Sequence, residues 1–108
     1  MSYWIGLVEP DKKHREIDDF GVHCSWNFKT MMEHVPCGWV RDWQGRRAKE
    51  MSGIVFQSRG LLVLTPYFYQ QYELDPDRDL GTMDNCYNIL DRCYQGFMEH
   101  PDAIITID

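Results

Sequence analysis

The chain is predicted to fold as an α+β domain, a small antiparallel sheet with elements in the order β-β-α-α-β and two main helices packed on one face. Three observations predict it. Apolar Val22, Cys24, Trp26 and Phe28 alternate with His23, Ser25 and Asn27, the period of a half-buried strand. Cys86, Leu90, Cys93 and Phe97 recur at helical spacing behind Thr82, a residue type suited to an N-cap. The chain then closes on Ala103 to Ile107, an apolar run of strand length that follows the helix-ending Pro101.

The elements follow in order. Tyr3 to Val8 is aromatic and aliphatic and stops before Pro10, so it reads as the first strand. Residues 9–19 carry eight charges that nearly cancel and read as a solvated connection. The alternating segment from Val22 is the second strand, antiparallel to the first, with its polar residues outward. Lys29 to Val35 has room for one helical turn before Pro36. Gly45 to about Leu62 is read as a helix with Ala48, Met51, Val55 and Leu62 near one face, although Gly53 and Gly60 weaken it by roughly 1 kcal/mol each relative to Ala. Residues 65–82 hold Pro66, Pro76 and Gly81 and no sustained period, and are read as a long connection. The helix from Met83 places Asp84 in its first turn, where the dipole favours an acid, and Met83, Tyr87, Tyr94 and Met98 widen its apolar stripe. The last strand is expected inside the sheet.

Composition bounds the function. With 108 residues and 44% apolar content, this is one domain over residues 1–108 with enough material for a core. Seventeen acids against 11 bases give a formal charge of −6, which disfavours general binding to nucleic acid or anionic membrane. The longest apolar run, Leu61-Leu62-Val63-Leu64, is far short of the roughly 18 residues of a membrane span. The N-terminus has no basic n-region or cleavage site, so the four cysteines read as reduced thiols in a cytoplasm.

Chemical motifs are sparse. Cys86 and Cys93 share a helix face but lie about 10 Å apart along the axis, too far for one zinc ion. His34 and Cys37 lack a second local pair. Asp75, Asp77 and Asp79 match the first ligand positions of a calcium loop, yet Leu80 and Cys86 stand where glycine and the bidentate glutamate belong. No metal or other cofactor is therefore expected. There is no nucleophile elbow and no phosphate-cradling loop. His14, His23 and Asn27 are polar residues of the kind that serve acid–base chemistry, and are read instead as the wet side of the sheet. The chain is expected not to be an enzyme.

Two surfaces remain. Tyr67, Phe68, Tyr69 and Tyr72 set four aromatics within six residues, and Glu73, Asp75, Asp77 and Asp79 follow. From Glu73 to Asp91 there are six acids and one base. Aromatics of this kind anchor interfaces, and alternate carboxylates about 6.6 Å apart on an extended chain would imitate phosphates. The opposite charge gathers at Arg41, Arg46, Arg47 and Lys49, beside Trp39 and Trp43, where guanidinium and indole could hold a nucleotide or another anion. The same arginines could pair with the acidic loop of a second copy in a two-fold homodimer.

Ser25-Trp26-Asn27-Phe28, Trp43-Gln44-Gly45-Arg46-Arg47-Ala48 and the closing His100-Pro101-Asp102-Ala103-Ile104-Ile105-Thr106-Ile107-Asp108 together resemble, in order and spacing, a family of short uncharacterised proteins of bacteriophage and actinobacterial genomes. The resemblance spans roughly residues 20–108. Members often carry Leu in place of Trp43 and have fewer cysteines. It implies a phage or prophage setting, hence a host-cell cytoplasm, and carries over no catalytic residue. The expectation is a non-enzymatic accessory protein that binds a protein partner through its aromatic-acidic loop, with inhibition of a host defence or nucleic-acid-processing enzyme as one outcome. The alternative is a small-ligand or nucleotide-binding domain built on Arg41–Lys49.

Overall fold

The computed structural model describes residues 1–108 and is an α+β fold. Strands β1 (Ser2–Val8), β2 (Val22–Ser25) and β3 (Ile104–Ile107) form an antiparallel sheet in the order β2-β1-β3. Ile5 lies opposite both Val22 and Ile107, and Leu7 opposite Ile105. Ile5, Leu7, Val22, Cys24 and Ile105 are buried on the inner face.

The sheet departs from expectation at both flanks. The alternation does not carry β2 to Phe28. The Ser25 hydroxyl accepts the Asn27 N–H at 3.1 Å and caps a 3-10 turn over Trp26–Phe28, which leads into α1 (Lys29–Glu33). A serine that offers its oxygen to the backbone two residues on competes with the ladder and ends the strand. Trp26 is consequently half-exposed, packed beside Tyr3 and Trp39. β3, in turn, is an edge strand, and β1 is the central one. Its free edge is covered by the segment 45–48: Gly45 N–H donates to Ile105 O at 2.9 Å, Ile105 N–H to Arg46 O at 2.8 Å, and Ala48 N–H to Ala103 O at 2.8 Å. Gly45 adopts φ +83° to make this turn, a conformation that favours glycine. The helix expected from Gly45 therefore begins three residues later.

That helix, α2, runs Ala48–Leu64, and its partner α4 runs Met83–Glu99. They are antiparallel: Ala48 meets Ala103 beyond the end of α4, Phe56 packs on Tyr94, and Arg59 pairs with Asp91. Cys86, Leu90, Cys93 and Phe97 face inward as the helical period requires, and meet Val55, Leu62 and the sheet in one core. The expected stripe holds for Met83, Tyr87 and Tyr94, which pack half-buried on that core, whereas Met98 is exposed. Residues 65–82 are not an open connection. They fold into a short helix, α3 (Pro66–Tyr69), and 3-10 turns at Gln70–Tyr72 and Pro76–Arg78.

Candidate functional site

The aromatic loop splits into an inward and an outward half. Thr65 ends α2 by donating its hydroxyl to Leu61 O at 2.8 Å, and Pro66 starts α3 where its missing N–H costs nothing. One helical turn then sends neighbours to opposite sides. Tyr69 is buried in the core, while Tyr67 is 90% exposed and Phe68 53%. Tyr72 is half-buried and stacks on His34, ring centroids 4.0 Å apart and planes within 15°. Of the four expected interface aromatics, Tyr67 and Phe68 are thus presented to solvent, and Tyr69 and Tyr72 tie the loop down.

Two further residues join the outward pair. Val63 is 63% and Leu64 79% exposed at the end of α2. Sequence reading passed over them, although Leu61-Leu62-Val63-Leu64 held the signal: four consecutive apolar positions on a helix cannot all face one side. Beside them a groove of about 530 Å³ opens between the end of α2 and the start of α4, lined by Leu62, Val63, Pro66, Met83, Asp84 and Tyr87.

The acids do not form the expected extended run. Glu73 turns back, and its carboxylate accepts the Met83 N–H at 2.9 Å at the start of α4. Asp75 and Leu80 exchange both backbone hydrogen bonds, at 2.9 and 3.0 Å. Asp79 sits in the left-handed region at φ +57° and accepts the Asn85 amide at 3.1 Å. The turn at Pro76–Arg78 compacts what lies between. Prolines preset the turn, and carboxylates of Asp and Glu find nearby N–H donors, so the phosphate-like spacing does not arise. Asp84 stays exposed on the wall of the groove, and Asp77 is exposed on its own turn.

The basic surface loses its stacking faces. Trp43 is 1% exposed, its indole N–H donates to Cys37 O at 2.8 Å, and its ring packs edge-on against Phe97. Trp39 is buried against Tyr3 and Trp26. Neither can lie over a base, and the expected nucleotide site reduces to exposed Arg41, Arg46 and Arg47, with Lys49 engaged by Asp102 at 3.1 Å. Around Arg46 the surface is mixed, since Asp42 and Glu50 line the same small cleft.

The four cysteines are buried and unbridged. Burial pushes the Cys24 thiol up to about 12 and the Cys37 thiol to about 11, and both remain protonated at neutral pH. His23 faces outward on β2 opposite Trp4, Asn27 has left the strand for its 3-10 turn, and His14 belongs to a turn capped by Asp11. No helix is long and apolar enough to cross a membrane. No family model, curated protein or solved structure matches the chain.

Proposed function

We propose that this chain is a non-enzymatic binding protein whose partner is another protein, seated on the patch formed by Val63, Leu64, Tyr67 and Phe68. The observation that carries the reading is their joint exposure, each more than half open to water within six residues of chain. Large apolar groups gathered at one place are costly to leave in water and mark an interface, and the adjacent groove gives a partner's side chain a seat. Asp84 borders the apolar surface, and the net charge of −6 extends the field, so the partner's matching surface is basic at its rim. In a phage setting that partner is a host defence or nucleic-acid-processing enzyme, and occupation of its basic groove inhibits it. No observation favours the nucleotide-binding alternative once both tryptophans are buried.

The triple variant Leu64→Ser, Tyr67→Ser, Phe68→Ser tests the reading. Tagged wild-type protein is expected to capture a partner from host lysate, or a second copy of itself in sedimentation, and the variant to lose that partner while keeping its melting temperature within a few degrees. A variant that stays folded and retains every wild-type partner refutes the site. A variant that unfolds shows these side chains to be core, which refutes it equally.

A further inference from the structure

We propose that Asp19, Glu99 and His100 form a binding site for a divalent transition-metal ion, of which zinc is the type case. The site lies at the C-terminal end of α4, about 25 Å from the apolar patch at 1.5 Å per residue of that 17-residue helix, and is independent of the protein-binding reading.

The first support is geometry. One ligand atom from each of the three residues lies within 4.8 Å of the other two. Metal–donor bonds of about 2.1 Å in a tetrahedron set donors about 3.4 Å apart, a contraction of at most about 1.4 Å from the present spacing. His100 Nε2 already points at Asp19 Oδ1, 3.0 Å away. Both segments are held by the fold. Phe20 packs so closely on Gly96 that a Cβ there would collide with its ring, and Arg92 donates to Gly21 O at 3.2 Å, which fixes the chain immediately after Asp19. His100 N–H donates to Gly96 O at 2.9 Å and anchors the other side.

The second support is electrostatic and independent of the first. The C-terminus of a helix carries partial negative charge and is normally matched by a base. The last turn of α4 has no basic residue, and instead brings Glu99 and, through the fold, Asp19 to that pole. Two carboxylates against the negative end of a 17-residue helix favour a cation between them. Arg92 lines the neighbouring cleft with Asp19 and Glu99, but its guanidinium is turned to the Gly21 carbonyl.

The donor set selects the ion. Carboxylates alone would suit calcium or magnesium, whereas an imidazole beside two carboxylates suits zinc, manganese, iron(II) or cobalt. Three protein ligands leave a fourth position to water, the pattern of an open site rather than a closed structural cage. On binding, Nε2 gives up the proton it shares with Asp19, to solvent from the imidazolium or by exchange through solvent to Nδ1 in the neutral ring, and the Nε2–metal bond replaces the His100–Asp19 hydrogen bond. Asp19 and His100 stand 81 positions apart, so no local spacing announces the site.

Calorimetric titration of the full chain with zinc chloride tests the proposal. One ion per chain is expected, with His100→Ala and Asp19→Asn each weakening it roughly tenfold or more, the least a lost ligand should cost. Asp102→Asn, whose carboxylate pairs with Lys49, should bind as wild type does. Cobalt(II) should give visible d–d absorption in the wild-type protein that zinc displaces, a readout that needs no variant to fold. Absence of binding at millimolar zinc, cobalt bands absent from the wild type, or affinity unchanged in folded His100→Ala and Asp19→Asn would each overturn the assignment.

Discussion

Leu90 is wholly buried on the inner stripe of α4, among the side chains of one continuous core. Truncation there leaves a cavity into which the surrounding core relaxes only in part. Leu90→Ala is expected to lower unfolding free energy by about 2–5 kcal/mol in a urea titration, and a loss near zero would contradict the inward stripe. The buried thiols make a second prediction. In the unfolded chain they ionise near 9, whereas burial, and for Cys24 the neighbouring Cys37, holds Cys24 protonated to about 12 and Cys37 to about 11. The folded form thus keeps its protons while the unfolded form sheds them. The stability these thiols contribute is complete below about pH 9 and declines as the pH climbs towards 11–12. The alkaline slope of stability should be shallower in Cys24→Ala than in wild type, and equal slopes would show the thiol to be more accessible than its burial implies. At this scale the sequence was read well for core positions and poorly for tryptophans. Trp39 and Trp43 sit among arginines in the chain, and only folding reveals that Trp43 turns inward to Phe97 and to the Cys37 carbonyl.

Helix α2 contains two glycines that cost helix stability and meet nothing: a Cβ built at Gly53 or Gly60 has no atom within 4 Å. Gly96 in α4 is the opposite case, with the Phe20 ring in the place a Cβ would take. Gly53→Ala should stabilise the protein by roughly 0.5–1 kcal/mol, and Gly96→Ala should destabilise it by about 1–3 kcal/mol. Thermal melts of the two variants that shifted in the same direction would contradict the packing of α4 on the segment that carries Phe20. The existence of both long helices was legible because their apolar positions recur at the helical period. The ends were not. Ser25 stops β2 by capping its own turn, and the β3 edge recruits residues 45–48 before α2 can begin. Both are tertiary or side-chain-to-backbone bonds that periodicity does not record. The same holds for residues 65–82, where the lack of a period concealed three short turns closed by Glu73, Asp75 and Asp79.

Over the whole molecule, the antiparallel pairing of α2 and α4 carries the end of α2 and the start of α4 to one pole, with the exposed patch and Asp84, and sets Arg46 and Arg47 at the opposite end of α2. The loop was recognisable as a surface because four aromatics preceded a run of acids, but which aromatics face water depended on a single turn of α3. An acidic rim also makes binding to a basic partner salt-sensitive, so affinity should fall as ionic strength rises from about 0.05 to 0.5 M, and salt-independent affinity would leave the apolar patch acting alone. The most direct test of the protein-binding surface is amide hydrogen exchange on the free protein and on its captured complex. Slower exchange on binding is expected in residues 61–74 and 83–88, with residues 41–49 unchanged. Protection confined to residues 41–49 or to the outer face of the sheet, with the end of α2 exchanging as in the free protein, would contradict it.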